Sequence, residues 1–178
     1  MSARSTPSSD RSIGPIVSSA HLADGAAPAL SEVEFGMILS GHAFERWMVR
    51  CMTAAGEPGL TATEITVLHT VTHRGKPKRL ADICLVLGIE DTHLVTYAVR
   101  KLEQKGLVAR EKAGKERLIT ITRAGERACQ RYRDLRETIL VEGISELGLS
   151  AERMSEIARL LRLLSGHYDQ AARTAASL

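Results

Sequence analysis

The residues best equipped for chemistry lie between Thr92 and Arg117. Thr92, His93, Thr96, Tyr97, Arg100 and Lys101 recur at steps of three and four, so a helix would carry them on one outer flank. Their hydroxyl, imidazole, phenol and cationic groups suit hydrogen bonds to base edges and phosphates, and suit a hydrophobic core poorly. Lys112, Lys115 and Arg117 follow as a second cationic group around Gly114. Such a cluster can lie along a phosphate backbone or reach into a minor groove.

Other chemistries find weaker support. His69 and His73 stand four apart and could face one metal, with His42 as a distant third ligand. They lack the glutamate of an HExxH signature, so structural or surface histidines are expected, with no metal and no cofactor. Cys51, Cys84 and Cys129 are odd in number and form no CxxC pair, which points to reduced thiols and away from a disulfide framework. Cys84 is expected to pack in a core. Cys51 follows Arg50 and is the better placed of the three for redox sensing. There is no Gly-rich phosphate loop and no GxSxG elbow, so the chain is not expected to be an enzyme.

Charge distribution supports the first group. The net charge of the 178 residues is only +3. Residues 76–133, however, hold 14 basic residues against 7 acidic ones, while 1–75 and 134–178 each hold 5 against 7. A basic stripe between acidic ends is the footprint of a nucleic-acid face. No apolar run reaches the ~18 residues of a membrane span. Residues 1–20 lack the apolar core of a signal peptide, and a cytoplasmic location is expected.

Elements must hold these side chains in place, and the sequence marks where they start and stop. Residues 1–29, rich in Ser, Ala, Gly and Pro, predict a flexible arm. Ser31 with Glu34, and Thr61 with Glu64, each spell a capping box, and Ser150 supplies a third cap. They predict helices from about residue 32 to 55, from 62 to 73, and from 151 to near 172. A short helix over 81–87 stops at Gly88, and Asp91 caps another from Thr92 to Lys105. Leu80, Ile83, Cys84 and Leu87 face Val95, Ala98, Val99 and Leu102, which fixes the two as a helix-turn-helix. The period then changes to two over 107–112 and 117–122, predicting a hairpin with a basic tip. Thr122 caps a long helix to about Leu147. The fold class is therefore mainly α with a small β-hairpin wing: a winged helix-turn-helix core flanked by long helices.

With those elements in place the chain resembles the MarR family of bacterial regulators. The resemblance rests on Ile83-Cys84-Leu85-Val86-Leu87-Gly88-Ile89, on Leu102-Glu103-Gln104-Lys105-Gly106-Leu107-Val108, and on Leu118-Ile119-Thr120-Ile121-Thr122-Arg123-Ala124-Gly125. It extends more weakly over residues 31–172. Three features depart from the family pattern: the acidic turn at Glu90 and Asp91, Tyr97 where a base-reading Arg is common, and a short wing with Lys115 near its tip. The resemblance implies a homodimer on double-stranded DNA, with helices of 30–60 and 126–178 forming the dimer and 61–125 the DNA-binding lobe. It also implies a small-molecule effector pocket, for which His42, Arg46, Trp47 and His69 are the candidates. The implied function is a transcriptional repressor on a palindromic operator. The alternative is a winged helix that serves only as a protein-interaction module. The apolar stripes Ala128, Tyr132, Leu135, Ile139 and Ile144, and Met154, Ile157, Leu160, Leu161 and Leu164, serve either a dimer interface or an intramolecular core.

Overall fold

The computed structural model describes residues 14–178 apart from Lys115, whose expected place at the wing tip lies outside the described residues. A single helical turn, α1 (Ala20–Ala23), precedes the long α2 (Pro28–Ala54). The expected start of α2 after Ser31 is corrected. Pro28 opens the helix four residues before the expected Glu32, because its ring fixes φ at a helical value and its missing N–H costs nothing at a first turn. Ser31 is thereby drawn inside the helix, is buried, and donates its hydroxyl to the Leu22 carbonyl at 2.6 Å. The Ile16 amide donates to Glu32 Oε1 at 2.8 Å. The second half of the expected arm is thus docked on α2, while residues 1–13 lie outside the described part.

The capping box at Thr61 forms as expected. The Glu64 amide donates to Thr61 Oγ1, Glu64 Oε2 accepts from the Thr61 amide, and α3 runs over Ala62–Thr72. Its face of Ile65, Val67, Leu68 and Val71 sits at the centre of the core. A turn through Arg74 and Gly75, both at φ 60°, redirects the chain. Lys78 then pairs with Ile119 through two backbone hydrogen bonds of 2.9 and 2.8 Å, adding a one-residue third strand to the hairpin. That pairing ties the entry of the helix-turn-helix to the wing.

The helix-turn-helix consists of α4 (Leu80–Leu87) and α5 (Thr92–Gln104). Asp82 receives the Arg79 backbone N–H and guanidinium at the start of α4, and Gly88 ends it in a left-handed conformation at φ 63°. Asp91 Oδ1 accepts from the His93 amide at 2.9 Å and caps α5, so one acidic residue of the unusual turn has a structural role. Val95, Ala98, Val99 and Leu102 are buried against α3 and α4, as the facing stripes require.

The hairpin pairs β1 (Val108–Ala113) with β2 (Glu116–Ile121), a two-residue tip lying between them. Its exit is held by a lock. Thr122 Oγ1 donates to the Gly106 and Leu107 carbonyls and accepts from the Gly125 amide, starting α6 (Arg123–Leu135). A side chain on Gly125 would place its Cβ 2.1 Å from the Leu107 carbonyl oxygen, so only glycine lets α6 come this close.

The predicted continuous helix to Leu147 is instead interrupted. After α6 the chain widens into a π-helical turn over Arg136–Val141 and resumes as the short α7 (Glu142–Ser145). Ser150 caps α8 (Ala151–Ala175), its oxygen accepting from the Arg153 amide. The outer stripes divide. Ala128 and Tyr132 are buried in the lobe's own core, whereas Ile139 and the α8 residues Met154, Ile157, Leu160 and Leu161 stay exposed. α8 buries no residue at all within the chain.

Candidate nucleic-acid interface

α5 is positioned by its buried face, which leaves the opposite flank outward. Thr92, His93, Tyr97 and Arg100 are exposed on that flank. Thr96 is half-buried beside them and donates its hydroxyl to the Thr92 carbonyl at 2.9 Å, which leaves its oxygen lone pairs as acceptors. Leu94 also projects outward, 53% exposed, from the first turn. Leu94 has no polar group to mark it for recognition in the sequence. Its signal was an apolar residue outside the buried stripe of 95, 98, 99 and 102.

Lys101 behaves differently from the rest of the flank. Its ammonium lies 3.2 Å from Glu64 Oε2, the carboxylate that also caps α3. The α3 carboxylate therefore neutralises Lys101 and turns it toward the lobe. Arg110 is likewise paired with Glu103 at 3.2 Å. Arg100, Lys112 and Arg117 are in none of the ion pairs among the described residues.

The hairpin register explains where the free cations go. Val108, Arg110 and Lys112 pair with Ile121, Ile119 and Arg117, so these six alternate positions share one face of the ribbon. That face begins in the core at Val108 and Ile119 and ends in solvent at Lys112 and Arg117, directly opposite one another. Two like charges at a cross-strand pair repel, and an anion between them relieves the repulsion. Arg117 and Arg110 also meet Thr96 of α5 and Leu80 of α4 around a cavity of about 170 Å³. Helix flank and wing are thus joined into one surface.

Residues 60–125 match the model of a winged helix DNA-binding domain. Around that domain about three quarters of the chain superposes on solved regulators. A cysteine-to-serine mutant of MarR from E. coli, complexed with operator DNA, aligns with a TM-score of 0.63 at 17% identity, over 79% of this chain and 98% of that one. This is a winged-helix protein with the MarR fold. A MarR-family transcriptional regulator from Rhodococcus sp. RHA1 gives a TM-score of 0.61 at 17% identity, covering 75% of this chain and 91% of its own. CouR from Rhodococcus jostii RHA1, bound to p-coumaroyl-CoA, gives 0.59 at 17% identity, with 74% and 90% covered. No curated protein sequence matches the chain.

The four residues expected to line an effector pocket are not gathered around one cavity of this MarR fold. His69 lines a cleft of about 430 Å³ with Phe44, Met48, Thr66, His73 and Val86. Arg46 lies on a separate groove beside Val49 and Leu60, His42 is exposed, and Trp47 is half-buried against the core. The reason is helical phase: positions 42 and 46 of α2 share one flank, and position 47 points 100° away from 46. The His69 ring meets Tyr132 edge-on at 4.7 Å, and burial lowers its pKa from the ordinary 6.5. Both His69 Nε2 and Trp47 Nε1 are buried without a hydrogen-bond partner.

The thiols are not poised for redox chemistry. Cys51 is buried and its Sγ lies 3.6 Å from the Tyr132 carbonyl, and burial raises the pKa of both Cys51 and Cys129. A protonated, enclosed thiol is a poor nucleophile, which corrects the expectation that Cys51 is suited to sensing. Among the described residues no group of His, Cys, Asp and Glu is placed to hold a metal, and no helix is long and apolar enough to cross a membrane.

Proposed function

We propose that this chain is a homodimeric, sequence-specific transcriptional regulator that represses from a short palindromic operator. The observation that carries this reading is the joint surface of α5 and the wing, where Arg100, Lys112 and Arg117 are exposed and have no carboxylate partner among the described residues. Thr92, His93, Thr96, Tyr97 and Arg100 lie along base edges in the major groove, and Leu94 lies against a thymine methyl group. Lys112, Lys115 and Arg117 neutralise phosphates or enter the adjacent minor groove. Lys101, held by Glu64, contributes through the lobe's positive field. Two-fold symmetry sets the second α5 about one DNA turn away.

Ligand response belongs to the same proposal. The cleft at His69 lies between the helix-turn-helix and α2, so a bound aromatic or acyl group there would alter how the lobe sits on its long helix. One observation favours the alternative of a protein-interaction module. Leu85 and Val86 on the outer face of α4 are 82% and 72% exposed.

A random duplex pool decides between them. The regulator enriches a palindrome whose half-sites lie about 10 base pairs apart. A protein that enriches nothing, yet captures a polypeptide through Leu85 and Val86, is the interaction module. Within the enriched site, Arg100→Ala is expected to cost ~1–3 kcal/mol against the cognate sequence. Equal loss on unrelated DNA would show that Arg100 contacts only phosphates.

A further inference from the structure

The Arg100 guanidinium carbon lies 5.6 Å from the centroid of the Tyr97 ring, one helical turn earlier on the same exposed flank. Both side chains are exposed, and Tyr97 is 62% so. A large aromatic ring left in solvent on a base-facing flank has a use if it fixes its neighbour. A guanidinium on a ring face is attracted by the ring's negative quadrupole and loses rotameric freedom before any DNA arrives. Arg100 is also in none of the ion pairs among the described residues, so no carboxylate competes for its five donors.

We infer that Tyr97 is a positioning residue for base recognition: its ring face attracts the Arg100 guanidinium and holds it ready to donate two hydrogen bonds to the N7 and O6 of one guanine. This rests on the reading of α5 as a DNA-reading helix. The ring surface is what matters, and the phenolic hydroxyl is not needed. Without the ring, Arg100 samples many rotamers and falls back to a phosphate, where it carries no sequence information.

The test uses the full chain and the site enriched from the random pool. Each guanine of a half-site is replaced in turn by 7-deazaguanine, which lacks the N7 acceptor. Wild type loses roughly five- to tenfold in affinity at one guanine, since the N7 arm of the bidentate contact is lost while O6 keeps the other. Arg100→Ala shows no loss at that base. Tyr97→Phe, which keeps the ring face, retains the full 7-deazaguanine penalty. Tyr97→Leu binds the unmodified site about two- to fivefold more weakly, and its 7-deazaguanine penalty shrinks. Its melting temperature stays at the wild-type value, and its loss falls more on the enriched site than on unrelated DNA, which separates positioning from folding. The inference is overturned if Tyr97→Leu keeps the whole penalty, or if Tyr97→Phe loses it, since the hydroxyl would then be the active group. If the pool yields no enriched site, the DNA-reading proposal itself fails. An enriched site with a Tyr97-independent penalty removes only the positioning role.

Discussion

At the residue scale, two side chains carry consequences that can be measured without DNA. Gly125 is irreplaceable because its Cα hydrogen faces the Leu107 carbonyl, with Ile121 Cδ1 only 2.5 Å from where a Cβ would stand. Gly125→Ala must push α6 away from the hairpin, breaking the Thr122 lock, and should cost about 3 kcal/mol. Thermal denaturation checks this, and an unchanged midpoint would contradict the close approach. His69 makes the lobe sensitive to acid. Burial lowers its folded pKa below 6.5, so the unfolded chain takes up this proton first. Stability is therefore full above about pH 6.5 and falls as pH drops from there through the folded pKa. The wild-type melting temperature should fall further between about pH 7.5 and 5.5 than that of His69→Phe. Equal falls would mean that the ring is hydrated in solution.

At the element scale, the same local grammar had two outcomes. Leu60-Thr61-Ala62-Thr63-Glu64 formed the capping box it spelled, because Pro58 and Gly59 break the chain just before it. Leu30-Ser31-Glu32-Val33-Glu34 spelled the same box, yet Pro28 lay within reach and took the first helical position. Each cap has a proline three residues before it, and the residues between decide the outcome: Gly59, at φ 79°, keeps a helix from running on from Pro58, whereas Ala29 and Leu30 let one start at Pro28. The helix-turn-helix stripes, the Gly88 stop and the Asp91 cap were legible because each depends on side chains close in sequence. The Lys78–Ile119 bridge and the Glu64–Lys101 pair were not, since they depend on elements brought together only by folding, and no local signal marks the π-helical turn. The wing illustrates both. Its cations were visible as a run, but only the register places Lys112 opposite Arg117. If both neutralise phosphates, each of Lys112→Ala and Arg117→Ala should flatten the slope of log affinity against log salt by about 1, equally on operator and random DNA. Salt titration by fluorescence anisotropy reads this. A loss confined to the operator would assign these residues to base contacts instead.

At the scale of the whole molecule, the described chain leaves its C-terminal helix without a core. Ile157, Leu160 and Leu161 of α8 are each more than two-fifths exposed, and with Val33, Leu163 and Leu164 they line a groove of about 570 Å³ between α2 and α8. The Tyr168 hydroxyl donates to Glu34 Oε1 at 3.1 Å across these two helices. So long an apolar stripe is costly to leave in water and marks a site for a partner. In the proposed regulator that partner is a second copy, interlocked through α2, α6 and α8. The basic lobe at residues 76–133 then lies outside, and the mildly acidic ends form the middle of the dimer. Leu161→Glu would put a charge into that interface and leave each lobe's own core untouched. Sedimentation equilibrium at micromolar concentration should give twice the chain mass for wild type and a monomer for Leu161→Glu. The variant's DNA affinity should fall about 10²-fold or more, since two linked half-site contacts become independent ones. Its far-ultraviolet circular dichroism should keep the helix content of the lobe. A wild-type protein that stays monomeric and still binds a palindrome tightly would leave α8 to a different partner.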